Sequence, residues 1–386
     1  MDKISKERAN LFASTCGGIA RLTVVSLVLV AASAAQSEAA RPEGKCEWFF
    51  LRPFYRRQVE CKEIPRLKKI NELGLKCKKG KHSACEELAK VAVHNESTIE
   101  RMEAVEEVND RDLLSKIATE DPNGAVRQIA VEGLDSKGSE SQSLLARIAT
   151  EDSDPAVRIA AVEELPEQSL LAKIAVADKE AGVRFAAVTR LFRHPQAFGA
   201  LLKENPGVAS IRAKGGRTLL HVAVQRGDLD IVKLLLNSNV DANVTDDEGC
   251  TPLHDLAGRG VLVDTLNSKD YVDLLVTHGA DVNARNKKGE TPLFLAVGAV
   301  TSNVALLVYG AGQPASYPPF VLAQSLLDHG ADVNAKDNQN ITPLRHALLA
   351  RGGTEPTATD SYGIPRMQYL LERSVIDLLR QRGGHE

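Results

Sequence analysis

The sequence predicts an all-α chain. Its first part reads as an α-solenoid of short helical hairpins, and its second as a stack of helix pairs joined by short β-hairpin turns. Three observations carry this. Four late segments nearly coincide: Gly216-Arg-Thr-Leu-Leu-His221, Gly249-Cys-Thr-Pro-Leu-His254, Gly289-Glu-Thr-Pro-Leu-Phe294 and Asn340-Ile-Thr-Pro-Leu-Arg345. Three earlier segments share another pattern: Leu113-Leu-Ser-Lys-Ile-Ala118, Leu144-Leu-Ala-Arg-Ile-Ala149 and Leu170-Leu-Ala-Lys-Ile-Ala175. Aromatic residues make up only 4% of the 386, which suits stacked helical repeats better than one large globular core.

Residues 1–39 read as an export signal. Lys3, Lys6, Arg8 and Arg21 precede an apolar run from Leu22, and Ala32-Ser-Ala34 offers a small-x-small cleavage site. The run, about 14 residues long, is short for a membrane span. The expected mature protein is therefore periplasmic or secreted, with no integral membrane span after signal cleavage; the other reading of the segment is an uncleaved anchor.

Residues 40–95 read as a basic, cysteine-stapled helical module, with 14 Lys/Arg against 7 Asp/Glu between residues 41 and 95. In an exported chain, Cys46, Cys61, Cys77 and Cys85 suggest disulfides. Cys77 and Cys85 flank a turn between two helical patterns, Leu67 to Leu75 and Ala84 to Val93, so a bond there would staple a hairpin. Cys46–Cys61 would be the second bond, and the other pairings stay open. Trp48, Phe49, Phe50, Phe54 and Tyr55 are read as a small core. The spacing from Cys77 to Cys85 followed by Leu88-Ala89 resembles the helical hairpins of Sel-like and tetratricopeptide-like repeats.

Residues 96–192 hold the first repeat. Each Leu-Leu helix leads to a second helix with the spacing D-x4-V-R-x2-A-x3-L, from Asp121 to Leu134, Asp152 to Leu165 and Asp178 to Leu191. Val, Ala and Leu at i, i+4 and i+8 make one buried face. The pattern resembles the HEAT family. Arg127, Arg158 and Arg184 are expected to bridge to acids of neighbouring repeats, and Arg101, Ala104 and Val108 mark an earlier half-repeat. The segment is acidic, with 20 Asp/Glu against 11 Lys/Arg between residues 96 and 191. It can pack on the basic module, or each can steer a partner of opposite charge. Residues 193–215 break the pattern at Pro195, Pro206 and Gly207 and read as a joint, with Leu201-Leu202 on a bridging helix.

Residues 216–386 hold the four late segments. Each is followed by a Leu-Leu helix, and three close on Val-Asp-Ala-Asn243, Ala-Asp-Val-Asn283 and Ala-Asp-Val-Asn334. This resembles the ankyrin repeat family. Thr251 and Thr291 can cap a helix that Pro252 and Pro292 begin. Gly249 and Gly289 sit where the chain turns, and Gly279 and Gly330 read as C-caps. The starts lie 33 (216 to 249), then 40 (249 to 289), then 51 (289 to 340) residues apart. The additions, at roughly 259–269, 298–320 and 350–372, fall between the two helices of a repeat and so emerge along one edge.

No catalytic constellation stands out: there is no phosphate-cradling glycine loop, no G-x-S-x-G, no H-E-x-x-H and no paired C-x-x-C. His221, His254, His278 and His329 are read as turn and cap residues, and Cys250 as an incidental thiol. A net charge of −3 gives no reason to invoke nucleic acid. The expected function is that of an exported, non-enzymatic scaffold or adaptor: a monomer with no cofactor, binding an unidentified protein partner. The alternative is a specific inhibitor or protective chaperone of an exported enzyme. The resemblance implies contacts on the concave face and at the hairpin tips. The candidate partner-binding residues are Asp246, Asp247, Arg285, Lys287 and Lys288, with Tyr309, Tyr317 and Tyr362 on the inserted edge.

Overall fold

The computed structural model describes residues 45–49, 56–60, 63–134, 138–258, 268–301, 318–350 and 374–385. These fall into two compact units that meet in sequence at Arg190 and Leu191. Both are α-solenoid segments built of helix pairs. The proposed export signal, residues 1–39, lies outside the described residues. Among those described, no helix is long and apolar enough to cross a membrane.

The first unit opens on β1 (Lys45–Phe49) and β2 (Arg56–Glu60), an antiparallel pair in which Lys45 faces Glu60 and Phe49 faces Arg56. The module, in which the sequence marked helices only from Leu67 and from Ala84, begins as a ribbon. Trp48, Phe49 and Val59 are types that favour a pleated surface over a helix. Phe50, Phe54, Tyr55 and Cys61 lie outside the described residues, and the Cys46–Cys61 bond therefore does too.

Next come α1 (Ile64–Lys78) and α2 (His82–His94), joined by a Cys77–Cys85 disulfide with Cα atoms 4.8 Å apart. Both pack on α3 (Thr98–Glu107), which is the expected half-repeat. Apolar side chains are buried on these helices, Leu67, Leu88 and Met102 among them, and charge pairs line the contact as well. The stripe Glu100, Glu103 and Glu107 on α3 is at most 7% exposed. Lys78 Nζ meets Glu107 Oε2 at 2.7 Å and Arg66 Nη1 meets Glu100 Oε1 at 3.3 Å. Gly74 makes the approach possible, because a Cβ there would lie 2.3 Å from that same Glu107 oxygen. The basic module and the acidic segment pack together.

Three helix pairs follow. They are α4 (Arg111–Glu120) with α5 (Gly124–Gly133), α6 (Ser139–Glu151) with α7 (Pro155–Glu164), and α8 (Gln168–Ala177) with α9 (Ala181–Leu191). Their shared core is Val126, Ala130 and Leu134, Val157, Ala161 and Leu165, and Val183, Ala187 and Leu191, all at most 4% exposed. The i, i+4, i+8 pattern of the sequence is the buried face.

The second unit begins with α10 (Pro195–Glu204), the expected bridging helix, with Leu201 and Leu202 buried, and a 3-10 turn at Pro206–Ser210. Four helix pairs follow. They are α11 (Leu219–Arg226) with α12 (Leu229–Asn237), α13 (Pro252–Gly258) with α14 (Ser268–Thr277), α15 (Pro292–Thr301) with α16 (Pro318–Asp328), and α17 (Pro343–Ala350) with a helix at 374–381. The proline-led helices start at the Thr-Pro step, and Thr291 Oγ1 accepts the Phe294 N–H at 3.3 Å as a cap. The gaps in the described chain, 259–267, 302–317 and 351–373, fall between first and second helices, where the sequence puts the insertions. Helix α16 takes in Pro318, Pro319 and Phe320, assigned above to an insertion.

Candidate functional site

The four hairpins that precede the first helices of the second unit are built alike. Ala213, Asp246, Asn286 and Asp337 each donate a backbone N–H to the carbonyl four residues on, at Arg217, Cys250, Glu290 and Ile341. The turn needs a left-handed residue at its fourth position. Gly249 supplies it with φ +76°, and Asn340, an amide that tolerates this conformation, does so with φ +61°. The acceptor at the first position recurs. Asp246 Oδ1 takes the N–H groups of Glu248 and Cys250, each at 2.9 Å. Asn286 Oδ1 serves Lys288 and Glu290, and Asp337 Oδ1 serves Gln339 and Ile341.

Neighbouring hairpins are welded at their tips. Asp247 N–H donates to the Gly215 carbonyl, Lys287 N–H to Glu248 and Asn338 N–H to Lys288, each at 2.9 Å. One residue before the turn, Arg212 reaches the Thr245 carbonyl and Arg285 reaches the Lys336 carbonyl. A second row of joints lies at the closing motif. Asn243 Nδ2 donates to the Gly279 carbonyl while its Oδ1 accepts from Asp281 N–H. Asn283 makes the same pair with Gly330 and Asp332, and Asn334 with Gly383 and His385.

A third row is buried. Thr218 N–H can only donate, so the His221 Nδ1 facing it at 3.3 Å accepts, and the ring proton sits on Nε2, which donates to the Cys250 carbonyl at 2.8 Å. His254 repeats this with Thr251 and the Glu290 carbonyl. Burial is the main cause that pushes His221 down to about 4 and lowers His254. His278 and His329 place Nδ1 at 2.8 Å from carbonyls of the preceding helix, Leu274 and Ser325. All four histidines are the turn and cap residues that the sequence suggested.

These rows sort the predicted contact residues. Asp246 and Arg285 stand at the tips, but their side chains are taken up inside the stack. Asp247, Lys287 and Lys288 are exposed and make no side-chain bond, so their charges face solvent. Lys214 and Glu248 are further such charges at the tips and were not among the candidate contacts. Tyr309, Tyr317 and Tyr362 lie outside the described residues. Cys250 is corrected: it is fully buried and disulfide-bonded, not an incidental thiol.

In the first unit the joints are ion pairs. Arg101 grips Asp121, Arg127 grips Asp152 and Arg158 grips Asp178, each through Nε and Nη2 at 2.8–3.2 Å. Nη1 of Arg127 and Arg158 also holds the carbonyl of Asp121 and Asp152. Arg184 departs from expectation and holds only the carbonyls of Asp178 and Lys179. Each aspartate accepts a backbone N–H two residues on, from Asn123, Asp154 and Glu180, so it shapes the turn rather than capping the helix directly. Asn123 and Asp154 are the caps.

A family model for HEAT repeats matches residues 111–191, and one for ankyrin repeats matches 185–286 and 220–317. The chain carries HEAT and ankyrin repeats. The first ankyrin match begins upstream of Gly216 and takes in α10, where the sequence suggested only a joint. Over 202 residues the chain is 30% identical to mouse "Ankyrin repeat and SOCS box protein 16", covering 41% of each protein. Over 75 residues it is 43% identical to mouse "2-5A-dependent ribonuclease", covering 19% of this chain and 9% of that one. Over 74 residues it is 35% identical to "Ankyrin repeat-containing protein P1E11.10" of Schizosaccharomyces pombe, covering 19% and 32%. The chain spans less than half the length of these relatives, and the likeness is that of repeat arrays.

Proposed function

We propose that this chain is an exported, non-enzymatic scaffold that binds a protein partner through its ankyrin hairpin tips. One observation carries the reading. The polar side chains that recur from repeat to repeat are bonded within the stack, whereas the charged ones that vary, at Asp247, Glu248, Lys287 and Lys288, are exposed on a welded backbone. A surface fixed before binding loses little conformational entropy on association. The basic start, short apolar run and small-residue site of the first 39 residues support export.

The test is cross-linking with mass spectrometry in the exporting compartment of the native host. Cross-links from Lys287 and Lys288 to one recurrent protein are expected. Repeated failure to find a partner, or turnover of a substrate by the purified chain, overturns the scaffold. If the recovered partner is an enzyme whose activity changes on adding the chain, the scaffold acts as its inhibitor or protective chaperone.

A further inference from the structure

We propose that the ankyrin tips form a bipolar strip that takes one extended protein segment, with basic residues on the second tip and acidic residues on the third. This rests on the scaffold reading and names the chemistry of the partner. The two outermost residues of successive tips are Lys214-Gly215, Asp247-Glu248, Lys287-Lys288 and Asn338-Gln339. The central pair of tips therefore carries two negative charges beside two positive ones. All four central side chains are exposed, and none of them makes an ion pair, although the tips touch through the Lys287 N–H to Glu248 carbonyl bond.

Two features favour an extended segment over a helix or a broad surface. First, the tips are joined in order by one backbone bond per junction, and Arg212 and Arg285 each reach from their own hairpin to the next. Second, the spacing fits. Packed helices, and so successive repeats, lie about 8–10 Å apart. An extended chain rises about 3.3 Å per residue, so about three residues span one tip to the next. The matching segment carries a basic pair and an acidic pair centred three positions apart, as in Lys-Lys-Ser-Glu-Glu. Opposite charges fix the register, and a segment of uniform charge meets repulsion at one tip.

The probes are tagged peptides containing Lys-Lys-Ser-Glu-Glu, Lys-Lys-Ser-Lys-Lys, Glu-Glu-Ser-Glu-Glu or the scramble Lys-Glu-Ser-Lys-Glu. They are titrated into the full chain at low ionic strength and followed by NMR shifts, which read weak binding. The bipolar peptide is expected to bind best and to shift residues 247–248 and 287–288, with salt weakening it. In Lys287→Glu/Lys288→Glu it is expected to bind about tenfold more weakly, as exposed pairs are lost and repulsions gained, while the all-lysine peptide becomes the best ligand. An unchanged melt shows that the variant is folded. Equal or tighter binding of the all-acidic peptide or the scramble overturns the proposal. So does indifference to the double substitution, or binding by no peptide. If these fail while cross-linking maps a partner elsewhere on the chain, the strip falls and the scaffold stands.

Discussion

In the HEAT unit each repeat grips the next through an ion pair, and in the ankyrin unit the recurring grips end on the main chain. Arg101, Arg127 and Arg158 need a carboxylate from the following repeat, so the sequence must supply an aspartate at each step. Asn243, Asn283 and Asn334 need only the main chain of the following turn. They make the same two bonds although their partner glycines lie 36, 47 and 49 residues away. The HEAT rungs span 20, 25 and 20 residues. A joint to the backbone of a turn is indifferent to what is inserted elsewhere in the repeat. That is a physical reason why the ankyrin half has grown insertions and the HEAT half has stayed short. The ankyrin unit does hold ion pairs, such as Arg217 with Asp255, but they do not recur from repeat to repeat.

The sharpest way to break the comparison is to remove one rung. The Arg158 side chain is 3% exposed and that of Asp178 9%. Arg158→Ala leaves a shielded carboxylate without its partner, and a loss of about 3 kcal/mol is expected in denaturant unfolding of the HEAT unit. Arg158→Met with Asp178→Asn, which keeps an acceptor for the Glu180 N–H, is expected to recover part of it, because no shielded charge is then left unpaired. An equal loss in the double variant would mean that the rung is not an electrostatic joint.

Acid separates the units in a definite order. His221 has its pKa lowered from 6.5 to about 4, so between those values the unfolded chain takes up a proton that the folded chain refuses. Stability is full above pH 6.5 and is lost as pH falls towards 4, by about 3 kcal/mol for this one group. His254 acts in the same direction. In the HEAT unit burial raises Asp152 and Asp178, but their arginine partners and backbone N–H bonds outweigh it and the net shift is downward. Their contribution is present above the ordinary aspartate value of 3.8 and fades only as pH falls below it. Hydrogen exchange is therefore expected to rise first in α11 and α13 and later in α5 and α7. His221→Phe, which copies the residue that the third repeat carries at Phe294, is expected to flatten the first step.

Two smaller effects follow. Loss of the Cys77–Cys85 bond in Cys77→Ala/Cys85→Ala closes no loop in the unfolded chain. It is expected to cost about 2–3 kcal/mol by the loop-entropy estimate, confined to the first unit. Asn283→Ala removes both halves of one neutral joint at the exposed edge. A loss of about 1–2 kcal/mol is expected, centred on the junction between the second and third ankyrin repeats.

Periodicity made the fold legible, and it also marks what the sequence reading missed. The Val, Ala and Leu of D-x4-V-R-x2-A-x3-L repeat because the core repeats. By the same logic Asp246, Asn286 and Asp337 recur because the turn needs an acceptor there, so the charge on Asp246 belongs to the fold. That recurrence was visible in the sequence and would have removed Asp246 from the contact residues. Arg285 is different. Its partner is the Lys336 carbonyl, and only Arg212 shares its place before a turn, so one repetition among four hairpins was a faint signal. The acidic stripe Glu100, Glu103 and Glu107 was equally hidden, because i, i+3, i+7 glutamates read as a solvated helix face until α1 is placed on them.

The smallest predicted effect on stability tests what the comparison implies about function. If recurring polar residues hold the stack and varying ones do not, Lys287→Glu/Lys288→Glu must leave stability unchanged to within about 0.5 kcal/mol, as expected for exposed side chains that make no bond. Asp337→Ala, on the next tip, removes the acceptor for Gln339 and Ile341 and must destabilise its hairpin. The contrast between them is read by hydrogen exchange at residues 286–291 and 337–342. A loss in the lysine variant as large as that in Asp337→Ala would place those charges among the joints, and only the acidic tip of the central pair would then be free to meet a partner.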